Sequence, residues 1–214
     1  MRARLDHLVV AAESLADAAV RVERFLGVPL ALGGKHPRMS THNRLLRLGS
    51  DAYLEVVAAD PAAEPPGRPR WYQLDDARQQ ALLRRGPRLV HWVVQIDGLE
   101  AVQQLGFDVG DWEPFRRGSY SWKLTVRPDG TLEADGVVPS LIAWEGSAHP
   151  SQALPDVGCT LAALELGHPR AEQVQAALNV LGLPTRCAPG APLLTAEIRT
   201  PTGLRVLRSS ESLL

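Results

Sequence analysis

At 214 residues, with 45% hydrophobic and 22% charged side chains and a net charge of −1, the chain can bury a core but carries no field that would draw it to nucleic acid or an anionic membrane. This balance excludes disorder as the main state, and no stretch approaches the roughly 18 consecutive apolar residues of a membrane helix. With only two cysteines and no signal-like apolar run at the N-terminus, the expected setting is a reducing cytoplasm, not an oxidising exterior.

The first element is a β-like run, Leu5-Asp6-His7-Leu8-Val9-Val10. Ser14 then reads as the N-cap of a helix whose apolar positions, Leu15, Ala18, Ala19, Val22, Phe25 and Leu26, recur at helical spacing. Gly27 stands where a C-cap glycine belongs. Three strands follow, Pro29 to Lys35, Asn43 to Gly49 and Ala52 to Ala58, the last two joined by a tight turn at Gly49-Ser50-Asp51. The order is β-α-β-β-β. A Pro-rich connector from Pro61 to Pro69 reads as a surface loop, and Trp71 to Arg85 as a helix outside the pattern.

The pattern then restarts. Leu89 to Val94 is again a strand with a histidine, His91, in its middle. A short helix is expected from Gly98 to Leu105, then strands near Phe107 to Val109, Tyr120 to Val126 and Ser140 to Trp144. A repeat of this size is stronger evidence than any one motif. A third, partial βαββ copy closes the chain: strand Thr160 to Leu166, helix Pro169 to Leu181 opened by proline, and a hairpin of Leu193 to Arg199 with Gly203 to Leu207. The expected fold class is α+β. Paired βαβββ units over residues 1–150 form one curved mixed sheet, and an appended unit over 151–214 packs on it.

Four residues occupy matching places in the two full units. His7 and His91 lie in the first strands, Glu55 in the last strand of unit one and Glu145 at the end of the last strand of unit two. Side chains alternate across a strand, so His7 shares a face with Val9, Glu55 with Tyr53 and Val57, His91 with Val93, and Glu145 with Ala143. Leu8, Val10, Leu54, Val56, Trp92 and Trp144 would turn towards the helices. A buried carboxylate is costly unless paired or metal-bound. Two imidazoles and two carboxylates converging on one face suit a divalent transition metal.

The repeat and these four positions resemble the vicinal oxygen chelate superfamily, over about Leu5 to Gly146. It includes glyoxalase I, methylmalonyl-CoA epimerase, extradiol dioxygenases and fosfomycin- and bleomycin-resistance proteins. The segment from Gly34 to Leu46, Trp122-Lys123-Leu124-Thr125 and the run from Pro139 to Glu145 are similar to glyoxalase-like domain proteins. The resemblance to bacterial glyoxalase I implies His7, Glu55, His91 and Glu145 as ligands of Ni, Zn, Mn or Fe, with Glu55 or Glu145 as the catalytic base. Resemblance to the dioxygenases implies the smaller set His7, His91 and Glu145. A metal-free binding or resistance protein is the third reading.

His36, Thr41 and Asn43 in a polar loop, Arg117 after Arg116, and Trp122 are candidate substrate contacts. Arginine would hold a carboxylate or phosphate bidentately. The expected activity is that of a metal-dependent lyase or isomerase on a small carbonyl compound, with proton abstraction and enediolate stabilisation. The expected partner is a small-molecule substrate, with no nucleic acid and no membrane, and the chain a monomer or homodimer.

Overall fold

The computed structural model describes residues 3–98 and 103–213. Unit one is β1 (Ala3–Ala11), α1 (Leu15–Leu26), β2 (Ala31–His36), β3 (Thr41–Leu48) and β4 (Ala52–Ala59). A 3₁₀ turn, Trp71–Gln73, and α2 (Ala77–Leu83) intervene. Unit two supplies β5 (Arg88–Ile96), β6 (Asp111–Arg117), β7 (Tyr120–Val126) and β8 (Ser140–Trp144); α3 (Pro150–Ala153) follows. The last part is β9 (Thr160–His168), α4 (Ala171–Val180), β10 (Arg186–Pro189), β11 (Leu193–Thr200) and β12 (Gly203–Arg208).

The fold is α+β, and the two units form one curled mixed sheet in the order β2-β3-β4-β1-β5-β8-β7-β6. Each unit joins its first strand to its last in parallel, and the units meet where β1 runs antiparallel to β5. The arrangement is therefore nearly two-fold, with His7 opposite Val93 and Val9 opposite His91. The sheet separates two apolar clusters. Leu8, Val10, Leu54, Val56, Trp92, Val94 and Leu141 face outwards and pack with Leu15, Ala18, Val22 and Leu26 of α1. Val9, Ala11, Val57, Val93, Leu124 and Ile142 face inwards with Trp71, Tyr72, Phe115 and Trp122.

Helix α1 begins and ends as its sequence requires. The Ser14 hydroxyl accepts the Asp17 N–H, and Gly27 takes a left-handed conformation (φ 74°) that lets its N–H reach the Glu23 carbonyl. The final part does not extend the main sheet. It forms a second sheet, β10-β9-β11-β12, in which β10 is an added strand parallel to β9. Leu166, Val174, Leu178, Leu194, Ile198 and Leu207 join the outer cluster, so α4 and this sheet cover the outer face beside α1.

Two local expectations are corrected. The segment from Trp71 to Arg85 is not one helix: Tyr72 and Gln73 both have φ 57°, and the helix proper starts only after the Asp76 N-cap. The strand expected at Phe107 to Val109 lies further on, at Asp111–Arg117. It is an edge strand, which is why it tolerates Pro114. Most of the helix expected from Gly98 to Leu105 lies outside the described residues.

Candidate functional site

The site is built around an irregularity in β1. Pairing with β5 steps from Leu5–Val94 to His7–Val93, so Asp6 is the extra residue of a β-bulge. In a regular strand Asp6 and His7 would point to opposite faces. Here the Asp6 carboxylate lies 2.6 Å from His7 Nδ1. Asp6 is fully buried and also accepts from His149 Nε2 (3.0 Å) and Trp144 Nε1 (2.7 Å). Burial pushes its carboxyl up, but hydrogen bonds from His149 and His7 outweigh that and hold it well below the usual carboxylate range.

With Nδ1–H donated to Asp6, His7 turns Nε2 towards Glu55, whose Oε2 is 3.8 Å away. Glu55 enters from β4, parallel to β1 and in register with it. Its other oxygen accepts from Asn43 Nδ2 at 2.5 Å, and Asn43 Oδ1 accepts from the Gly34 N–H (2.8 Å) and Arg117 Nη1 (3.4 Å). One amide thus fixes the carboxylate and the guanidinium together. His36 bonds Thr41 Oγ1 at 3.2 Å. Burial pushes the His36 imidazole down to about 4; the Glu55 charge opposes this, while Arg117 adds to it. It is neutral at pH 7.

His7, Glu55, His36 and Arg117 line a narrow cavity on the inner face, about 320 Å³ when its open mouth is included, with Tyr53, Trp71, Tyr72, Trp122 and Trp144 as aromatic walls. The His7 ring stacks on Tyr53 (4.6 Å between centroids), and His36 meets Trp71 edge-on at 5.1 Å. Glu113 of β6 binds both Arg38 (2.7 Å) and Arg68 (2.5 Å), tying the connector to the β2–β3 turn. Three other clefts are much roomier: one of about 870 Å³ lies between α2 and the final part of the chain, lined by Gln79, Leu82, Pro192 and Ser209; one of about 770 Å³ shares His36 with Arg38, Arg116 and Glu145; and one of about 1130 Å³ lies between the start of β1 and β9.

Of the four expected ligands, the structure brings His7 and Glu55 together and leaves the other two apart. A matching bulge occurs in β5, where Val90 is the extra residue before His91. His91 faces inwards, but both its nitrogens are engaged: Nδ1–H donates to the Gly136 carbonyl and Nε2 accepts the Ser140 N–H, each at 3.0 Å. Burial pushes this imidazole down to about 3, against the pull of the Gly136 carbonyl. Glu145 is exposed, past the end of β8, in the separate cleft. Strand parity explains the difference: Ile142 and Trp144 face inwards and Leu141 outwards, so Trp144 takes the place expected for Glu145.

The Asp6–His7 hydrogen bond is the kind that orients a metal-ligating imidazole. A metal needs at least three protein donors in such a site. Among the described residues no group of three or more His, Cys, Asp or Glu is arranged to hold one. The residues present therefore do not fit the four-ligand metal that the resemblance implies. Of the expected substrate contacts, His36, Arg117 and Trp122 line the cavity, while Thr41 and Asn43 stand behind them as hydrogen-bond partners. Sequence reasoning missed Asp6, His149, Tyr53, Trp71, Tyr72 and Trp144. The available signal for Asp6 was an acid inside an otherwise apolar strand.

Among the described residues no helix is long and apolar enough to cross a membrane. No curated protein matches the sequence significantly. A hypothetical protein from Staphylococcus aureus has a similar fold, with TM-score 0.59 and 13% identity, covering 97% of this chain and 85% of that one. Methylmalonyl-CoA epimerase from Streptomyces coelicolor, as a single-residue variant in complex with 2-nitronate-propionyl-CoA, aligns at TM-score 0.45 and 18% identity over 67% of this chain and 98% of that one. The epimerase from Mycobacterium tuberculosis aligns at TM-score 0.40 and 18% identity, over 67% and 88%. The family described as "Glyoxalase-like domain" matches residues 5–182, both units and on through α4, and the chain therefore belongs to the glyoxalase-like domain family of the vicinal oxygen chelate superfamily.

Proposed function

We propose that the chain is a lyase or isomerase that moves a proton next to the carbonyl of a small anionic compound, with His7 as the base. The observation that carries this reading is the Asp6–His7–Glu55 array: Nδ1 is committed to a buried carboxylate, so Nε2 faces the cavity, 3.8 Å from a second carboxylate. Such an imidazole is held in the tautomer and orientation that general-base catalysis needs. His7 takes the proton from the carbon beside the carbonyl, and the electron pair passes to the carbonyl oxygen as an enolate. Arg117 offsets the new charge in a water-poor site. His7 returns the proton to the neighbouring position, on the face from which it was taken. This reading uses no ligand from His91 or Glu145.

The test is solvent exchange. The purified chain is incubated in D₂O with 2-oxo and 2-hydroxy carboxylates and with α-oxoaldehydes, and loss of the C–H signal is followed by NMR. Enzyme-dependent exchange of at least one compound is expected, unchanged by EDTA and reduced by two orders of magnitude or more in His7→Gln. Exchange abolished by EDTA and restored by a divalent metal would return the site to metal chemistry. Saturable binding without exchange in any compound would favour a binding protein, which the five aromatic walls also suit.

A further inference from the structure

Resting on that reading of the cavity, we propose that the indole N–H of Trp71 is a ligand-binding donor, and that the ligand presents to it a carboxylate or enolate oxygen also within reach of Arg117. Trp71 is 4% exposed, and its Nε1 has no hydrogen-bond partner among the described residues. Buried N–H groups are rarely left so, because the lost water contact is not repaid. Neighbouring indoles show the norm: Trp92 Nε1 donates to the Val137 carbonyl at 2.8 Å and Trp144 Nε1 to Asp6 at 2.7 Å. Trp112 is also unpartnered, but it lies against the outer cluster and lines neither of the two cavities that Trp71 borders.

The place of Trp71 separates it from an accident of packing. With Tyr72 and Leu124 it lines both the His7 cavity and a second one of about 360 Å³ bounded by His91, Thr125 and Ser140. It therefore stands as a partition across the cup. Its backbone is held there against local preference. Tyr72 and Gln73 are consecutive non-glycine residues at φ 57°, pinned by the Gln73 N–H to the Gly130 carbonyl (2.9 Å) and by the Arg70–Asp75 pair (2.6 Å). Strain of this kind persists where the surroundings impose it, and it collects at ligand sites. Arg117 lines the same cavity; among the described residues its one hydrogen bond is a long one, 3.4 Å to Asn43, and its guanidinium lies 5.8 Å from the centre of the Tyr120 ring. An oxygen between Trp71 and Arg117 would satisfy the unpartnered N–H and meet a positive charge.

Oxalate, a planar dianion shaped like an enediolate, is the probe. The five tryptophans of ¹⁵N-labelled protein give indole resonances, and Trp71→Phe identifies the one that belongs to Trp71. Titration with oxalate is expected to move that resonance and to leave that of Trp92, in the outer cluster, nearly fixed. Trp71→Phe is expected to weaken oxalate about tenfold while the thermal midpoint holds or rises, since a burdened donor is removed. An unmoved Trp71 resonance, wild-type affinity in the variant, or no oxalate binding at tens of millimolar each overturns the proposal. The two readings separate cleanly. Exchange lost in His7→Gln but kept at wild-type KM in Trp71→Phe removes this inference alone. A Trp71 shift with no exchange in any compound removes the catalytic reading alone.

Discussion

Asp6 and His91 are buried titratable side chains held in different charge states, one anionic and one neutral, whose surroundings make the same demand at low pH: both must stay unprotonated. Asp6 must stay ionised to accept three donors, so its contribution to stability is complete above the unfolded value near pH 4 and is lost as pH falls below it. Asp6→Asn is expected to cost about 2–4 kcal/mol at pH 7, since it leaves His7, His149 and Trp144 facing a mixed amide. In urea titrations that cost should be flat from pH 7 to about pH 5 and shrink below. His91 must stay neutral. With its folded value near 3, the unfolded chain binds the extra proton first, so stability declines as pH falls from about 6.5 towards 3. His36, near 4, adds a slope of the same sign. Each contributes at most about 1.4 kcal/mol per pH unit in that window. His91→Gln should flatten the decline, measured by the same titrations. His7 and Glu55 were legible in the sequence because period-two alternation within β1 and β4 is enough to pair them. Asp6 was not, because its face is set by a bulge that only the pairing with β5 creates.

At the scale of elements, caps and turns were the readable part, because their chemistry is local. Ser14 and Gly27 bound α1 as their side chains dictate. Gly27→Ala is expected to destabilise the fold by about 1–2 kcal/mol, from the left-handed φ alone. A Cβ there would also come within 2.8 Å of Thr202 Oγ1 in the β11–β12 turn, so the loss should reach the upper end in thermal or urea unfolding. Strand parity was the unreadable part. Nothing within Ser140 to Glu145 says which residues face inwards; the antiparallel pairing of Trp122 with Trp144 decides it, and it moves Glu145 out. β6 was hidden for a related reason. Its buried positions are Glu113 and Phe115, and the glutamate is buried only because two arginines from elsewhere in the chain reach it.

Across the whole molecule, the final sheet acts as a wall for the first two units. Leu8, Val10 and Leu54 share one apolar cluster with Val174, Leu178, Leu194 and Ile198. A chain ended at residue 154 is expected to expose that face, to bind a hydrophobic dye and to run as aggregates in size-exclusion chromatography, where the full chain does not. The sequence pattern indicated that a third unit existed. It could not show that β10 would pair in parallel with β9 and so close a separate sheet, because that strand is four residues long and mostly exposed. The seam where β1 meets β5 carries two bulges, and only the first holds an acid, Asp6, where the second has Val90. A symmetric frame with one armed half distinguishes the two faces of any flat molecule lying across it. Deuterium taken up from solvent would then enter a prochiral carbon from a single side, leaving a product of one handedness.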